Sequence, residues 1–154
     1  MIIQVNGCKY ANEFASIYNS ANLLFEENRR CDADEKVFYK QLREDDNFIY
    51  MRANEICGFM SCHRYEEYCE LTSLYIKREC QGMKIGHQLL EYFEKQIEHG
   101  SYSIIKVLNN ADWASAFYKK HGYQILNEEM YNLIRSWNMT EKAWEKILYK
   151  KLGN

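Results

Sequence analysis

The most constraining feature of the chain is a strand-like run that turns through small residues into a helix-like run. Glu70-Leu71-Thr72-Ser73-Leu74-Tyr75-Ile76 reads as a strand, and Ile85, Leu89, Leu90, Phe93 and Ile97 recur at helical spacing. Between them lies Gln81-Gly82-Met83-Lys84-Ile85-Gly86-His87. A chain that enters a helix in this way directs unpaired backbone N–H groups and the positive end of the helix dipole to one place, which suits a phosphate or pyrophosphate. Taken alone, the turn is also compatible with a plain strand-to-helix connection whose glycines serve packing. It lacks G-x-G-x-x-G and G-x-x-x-x-G-K-[ST], so neither a dinucleotide fold nor a P-loop is supported.

The rest of the chain divides into elements around this unit. Met1–Val5 reads as a first strand, residues 10–27 as a helix, and residues 33–43 as a second helix with Asp32 as its cap. Phe48–Arg52 and Ile56–His63 form a hairpin around Ala53-Asn54-Glu55, and Tyr68–Lys77 is the next strand. The helix of residues 84–98 closes at Gly100. Tyr102–Leu108, rich in β-branched residues, is a strand, and Ala111–His121 is a helix capped by Asn110 and stopped by Gly122. Tyr123–Asn127 begins a strand, residues 128–145 are ambiguous, and Lys146–Leu152 is a last strand. This order predicts one α/β domain over residues 1–154, with a mixed sheet and helices on both of its faces.

A second segment makes the anion site specific. It runs Val107-Leu108-Asn109-Asn110-Ala111-Asp112-Trp113-Ala114-Ser115-Ala116-Phe117-Tyr118-Lys119-Lys120-His121-Gly122-Tyr123. On these residues the chain resembles the GNAT N-acetyltransferase superfamily. The family pattern is [Q/R]-x-x-G-x-[G/A] after a strand, then a strand, an Asn, and A-x-x-F-Y-x-x-x-G-[F/Y]; residues 114–123 match the last part in full. The resemblance covers about residues 47–127. It departs at two places. Lys84 stands where the family has its first signature glycine, and the family's Asn position falls on Ala111, with Asn110 one residue early. Because the helix is expected to have begun by residue 84, Lys84 is expected to carry no backbone strain.

The resemblance implies a GNAT-like fold: a mostly antiparallel central sheet with two splayed parallel strands, Tyr68–Lys77 and Tyr102–Leu108, between which acetyl-CoA lies. Backbone groups near Leu74 and Ile76 would pair with the pantetheine amides. The amides of Gly82, Met83, Lys84, Ile85, Gly86 and His87 would hold the pyrophosphate, with Gln81 bracing the turn and Asn110 as a further contact. Tyr118 would protonate the departing thiolate. The implied reaction is direct attack of an acceptor amine on the thioester. Glu70 is the preferred general base, since it shares a strand face with Thr72, Leu74 and Ile76. Glu66, Glu67 and His63 are weaker candidates for that role, and an acyl-carrying Cys69 is weaker still. Each of these residues also has a plainer reading: Tyr118 as core, Glu70 as a strand-end carboxylate, Lys84 as a surface side chain.

Composition narrows the partners. With 20 basic and 22 acidic residues the net charge is −2, which favours neither nucleic acid nor an anionic membrane. No run approaches the ~18 apolar residues of a membrane span, and the first residues lack a basic flank and apolar core, so the expected location is cytoplasmic. Cys8, Cys31, Cys57, Cys62, Cys69 and Cys80 show no C-x-x-C spacing, so free thiols are expected and a metal is not. The expected partner is a small-molecule or peptidyl amine, cationic on arrival, because Tyr65, Glu66, Glu67, Tyr68 and Glu70 lie in one short span of the expected acceptor pocket. Its pocket is expected from the N-terminal helices and the Ile56–Glu70 region, and a homodimer stays open. The rival readings are an acyl-CoA-binding regulator without turnover and a protein-interaction module without a CoA site. Thiol release with an amine panel separates the first, and CoA calorimetry the second.

Overall fold

Strand β4, Tyr68–Ile76, is the element on which the fold turns. Its residues alternate between buried Cys69, Leu71 and Ser73 and half-buried Glu70, Thr72 and Leu74, the period-two pattern of a strand with two unlike faces. The structure, a computed structural model, describes residues 1–22, 33–133 and 145–153. Seven strands form one mixed sheet, as expected of the mixed α/β class, in the spatial order β1 (Ile2–Val5), β2 (Asp46–Arg52), β3 (Glu55–Arg64), β4, β5 (Tyr102–Leu108), β7 (Glu145–Lys151) and β6 (Gln124–Ile125). The chain clusters into two compact units: residues 1–63 with 73–93, and residues 64–72 with 94–154.

In the first unit, β1 (Ile2–Val5) pairs antiparallel with β2 (Asp46–Arg52), and β2 with β3 (Glu55–Arg64). Ala53 and Asn54 join the last two at φ of 49° and 65°. Two consecutive left-handed residues make the tight turn whose twist matches that of the flanking strands. Gly58 on β3 is needed for close approach: a Cβ there would lie 2.9 Å from the Tyr75 carbonyl oxygen and 2.7 Å from Ile76 Cδ1.

Helix α1, Ala11–Ala21, buries Ala11, Phe14, Ala15 and Ile17. Phe14 stacks on Phe59 of β3 with ring centroids 4.0 Å apart, and Phe38, Leu42 and Ile49 complete this core. Complete burial of each such side chain contributes about 1.5–3 kcal/mol. The expected helix over 10–27 is thus seen from residue 11, and its last residues lie outside the described ones. The expected helix over 33–43 is instead a 3₁₀ turn, Glu35–Phe38, followed by α2, Tyr39–Glu44. Its cap is Asp34, whose side chain accepts from the Lys36 amide at 2.9 Å; Asp32 lies outside the described residues.

Helix α3 spans Ile85–Lys95, shorter than the expected 84–98, and buries Ile85, Leu89, Leu90 and Phe93. Beyond it the Ile97 amide bonds back only three residues, to Glu94. Gly100 does not cap the helix. At φ 87° it directs its N–H to the Leu152 carbonyl, 2.8 Å away.

In the second unit, β5 (Tyr102–Leu108) runs parallel to β4 over four residue pairs, from Tyr68↔Tyr102 to Leu71↔Ile105. Both strands continue past that ladder, β4 to Ile76 and β5 to Leu108. On its other edge β5 pairs antiparallel with β7, Glu145–Lys151, along its whole length. The two-residue β6, Gln124–Ile125, pairs with β7. Helix α4 is Asp112–Lys120, and Gly122 at φ 92° ends it. Its N-cap position is Ala111, with no side-chain cap bond, so Asn110 is not the cap. The segment left ambiguous opens with α5, Glu128–Leu133, and residues 134–144 lie outside the described ones. Of the cysteines, Cys8 is exposed, Cys57, Cys62, Cys69 and Cys80 are buried, and all five are free thiols; Cys31 is outside the described residues.

Candidate active site

The turn between β4 and α3 is built by alternation of backbone hand. Gly82 lies at φ 84° and Lys84 at φ 61°. The expectation that Lys84 is already helical and unstrained is therefore incorrect. Helix α3 starts one residue later, and the turn needs a left-handed residue at the position where the family carries glycine. That conformation costs a non-glycine residue about 1–2 kcal/mol. Left-handed residues in such a turn form concave nests of backbone N–H groups. The helical ladder opens with the Gln88 amide bonded to Lys84 O at 3.1 Å. The amides of the turn just before it fall among those that a helix start leaves for an outside acceptor.

The flanks of the turn are held by hydrogen bonds. Gln81 Nε2 donates to the Ile76 carbonyl at 3.1 Å, tying the turn to the end of β4. The Cys80 amide donates to Lys77 O at 2.9 Å, and the Lys77 amide to Cys57 O on β3 at 2.8 Å. Met83 and Lys84 are exposed, whereas Gly86 and His87 are half-buried. The His87 ring lies 3.2 Å from the Glu91 carboxylate one turn along α3. Leu74 and Ile76, at the end of β4, are half-buried, and Ser73 before them donates to Gln41 Oε1 at 2.8 Å. Gln41 belongs to a buried network with Ser61 and Asn47, in which Ser61 Oγ lies 2.6 Å from Asn47 Oδ1. Polar groups buried and paired in this way hold a strand in one place.

The second unit carries Glu70 and Tyr118. Glu70 is half-buried, and its carboxylate lies 3.9 Å from Lys106 Nζ on β5. Tyr118 is 7% exposed on the buried face of α4. Its ring meets Phe117 at 5.2 Å and Tyr123 at 5.8 Å, both edge-on. The Tyr123 hydroxyl and Ser103 Oγ are 2.6 Å apart, and burial raises that phenol's pKa well above its ordinary value. Lys150 lies over the Tyr123 ring at 5.7 Å and bonds to Glu94 Oε1 at 2.9 Å. On the same helix face, one turn before Tyr118, Ser115 Oγ is fully enclosed without a hydrogen-bond partner among the described residues. Asn110 is exposed, in the turn closed by the Ala111 amide on Leu108 O at 3.0 Å.

Three neighbours of these residues were not evident from the sequence: Lys106 beside Glu70, Arg52 beside Met83, and Asp45 beside His63. Asp45 Oδ1 lies 2.8 Å from His63 Nδ1. The only signal for them was strand alternation, which gives a side chain's face and not its partner. Among the described residues no group of three or more His, Cys, Asp or Glu side chains could hold a metal, and no helix is long and apolar enough to cross a membrane.

Comparison with known proteins gives a concordant picture. Residues 43–125 match the model of the acetyltransferase (GNAT) domain. The ribosomal-protein-S18-alanine N-acetyltransferase from Escherichia coli superposes with a TM-score of 0.72 at 17% identity, over 100% of this chain and 94% of that one. The PaiA N-acetyltransferase from Thermoplasma acidophilum, in complex with coenzyme A, gives 0.69 at 17% identity over 98% of each chain. A GNAT family acetyltransferase from Elizabethkingia anophelis with acetyl-CoA bound gives 0.67 at 16% identity, over 99% of this chain and 97% of that one. At these identities the likeness is one of fold. No curated protein sequence matches the chain.

Proposed function

The chain belongs to the GNAT acetyltransferase family, and from that premise we propose that it transfers an acetyl group from acetyl-CoA to an acceptor amine by direct attack. The observation that carries the reading is the turn of residues 81–87. Its left-handed Gly82 and Lys84, followed at once by the first turn of an eleven-residue helix, fit a pyrophosphate. An added Cβ at Gly82 would meet nothing within 4 Å, so that side of the turn is open.

The cofactor supplies the activated acyl thioester; the residues supply binding, orientation and proton transfer. In this reading the amides of residues 82–87 hold the pyrophosphate, Gln81 keeps the turn in place, and Asn110 is a further contact. The backbone at Leu74 and Ile76 takes the pantetheine amides as an added strand would. Backbone donors there also polarise the thioester carbonyl. Tyr118 gives its phenolic proton to the leaving thiolate, and Glu70 receives the proton lost by the amine. Fixing two reactants in place supplies much of the rate.

For the acceptor we take a cationic amine, small or peptidyl. The support is local to the second unit. Tyr65 stacks on Tyr68 with centroids 4.5 Å apart, and Glu66 and Glu67 lie in the turn between them, just before Glu70. Aromatic faces and carboxylates together attract an ammonium group.

Calorimetry with CoA tests the cofactor half, and thiol release with an amine panel tests the transfer. The wild type should bind CoA, and Gly86→Glu should not, because its carboxylate would enter the phosphate site. A wild type that binds no CoA, or one that releases no thiol with any amine, overturns the reading. A preference for neutral or anionic acceptors overturns the acceptor class alone.

A further inference from the structure

Strand β2 lays alternate side chains along α3. Phe48 meets Tyr92 with ring centroids 5.3 Å apart. The Tyr50 hydroxyl donates to Gln88 Oε1 at 3.1 Å. Arg52 Nη1 lies 2.6 Å from Met83 Sδ. Alternate residues of a strand share a face, and each step along β2 falls back about one turn toward the start of the helix. The register shift in this hairpin passes over Cys57 on β3, so β2 keeps its alternation. The strand therefore delivers the Arg52 guanidinium to the turn that opens α3.

What it finds there is a poor partner. A thioether sulfur is a weak acceptor, and a guanidinium has five N–H donors in a planar fork. Among the described residues Arg52 has no carboxylate within ion-pair distance, whereas Lys77 nearby is paired with Glu55 at 3.5 Å. On the turn itself Gln81 is neutral, and its amide is engaged by Ile76 O. Arg52 and Lys84 are both exposed beside the nest of amides. A planar fork with donors to spare matches a phosphate better than a point charge does.

We propose that Arg52, reaching in from the β2–β3 hairpin, binds a phosphate group of the CoA cofactor and contributes to its affinity. This rests on the acetyl-CoA reading above. The test is calorimetric titration of the full chain with CoA and with dephospho-CoA, for the wild type, Arg52→Ala and Arg52→Lys. Arg52→Ala should weaken CoA about 10- to 100-fold, as expected for loss of a charge-assisted hydrogen bond. Arg52→Lys should recover part of that, and the loss should be larger at low salt. Dephospho-CoA bound equally by wild type and Arg52→Ala places the contact on the 3′-phosphate; an equal loss with both ligands places it on the pyrophosphate. Near-native CoA affinity in Arg52→Ala, with Gly86→Glu inactive in binding, overturns the proposal and leaves the acetyl-CoA reading intact. A wild type that binds neither ligand overturns both. Should Arg52→Ala melt early, Arg52→Gln decides: near-native CoA affinity in that variant overturns the proposal.

Discussion

The Glu70 carboxylate and the Lys106 ammonium lie 3.9 Å apart, on the two parallel strands, with Glu70 opposite Ile104 in the ladder. Glu70 is therefore not a strand-end side chain in bulk solvent, and its exposure is only 14%. A carboxylate held in this way can accept a proton from a nearby amine. Glu70→Gln keeps the shape and removes the base. It should lower kcat at neutral pH by roughly 10²-fold or more, with CoA affinity close to wild type. Single-turnover rates with a saturating acceptor measure this, and an unchanged chemical step would remove Glu70 from the mechanism.

Tyr118 is held by Phe117 and Tyr123 through edge contacts, which a phenylalanine in its place can also make. Tyr118→Phe should leave CoA affinity near wild type. Turnover should fall roughly 10²–10⁴-fold if proton donation limits the rate. Loss of CoA binding in this variant would instead mark Tyr118 as a binding or core residue.

The two effects of Lys84 can be separated. Its φ of 61° places Cβ in the left-handed region. Lys84→Gly relieves the strain of about 1–2 kcal/mol, which exceeds the ~0.4–1 kcal/mol cost of its wider unfolded ensemble. Lys84→Ala retains the strain and removes only the charge. Lys84→Gly should therefore be the more stable of the two in urea unfolding, and both should lose the same salt-sensitive part of CoA affinity. Equal stability of the two variants would contradict a left-handed backbone at residue 84.

Local features of this fold were legible in the sequence because they are written in neighbouring residues. Tyr102–Leu108 could be read as a strand to the residue from its β-branched run, and Gly122 marked the end of α4. The turn of residues 81–87 was legible for the same reason. Its backbone hand was not, since a lysine does not announce positive φ as a glycine does. Asp34 caps the 3₁₀ turn of residues 35–38, and no local signal in the sequence marks where that turn begins. The side-chain partners were the least legible. Asp45 with His63, Glu70 with Lys106 and Arg52 with Met83 are joined only by strand register and helix packing.

Buried thiol and phenol groups make the fold sensitive to alkali. Burial, reinforced by a hydrogen bond with Cys57, raises the Cys80 thiol from 9.0 to about 11. Burial likewise raises Tyr75 and Tyr123 above the ordinary phenol value. These groups stay protonated in the folded chain at a pH where the unfolded chain has ionised. The unfolded state then binds fewer protons, so stability falls as pH rises. The Cys80 contribution is complete below pH 9.0 and is lost progressively toward about 11. Urea midpoints at rising pH should drop over this window, and Cys80→Ala should flatten the drop. A midpoint constant from neutrality to pH 10 would contradict protonated, buried groups.

Ser115 is the one buried side-chain polar atom without a partner among the described residues, on the same helix face as Tyr118. An enclosed hydroxyl that makes no hydrogen bond costs about 1–3 kcal/mol. Alanine removes that cost, fits the space, and is a better helix former by a few tenths of a kcal/mol. Ser115→Ala should therefore raise stability by about 1 kcal/mol or more, read as a higher urea midpoint with an unchanged slope. CoA affinity should not change, because an enclosed atom offers nothing to a ligand. If Ser115→Ala is less stable than wild type, the hydroxyl is paired in solution. If it is equally stable but binds CoA more weakly, the hydroxyl turns outward to meet the cofactor, and α4 carries a binding residue one turn before Tyr118.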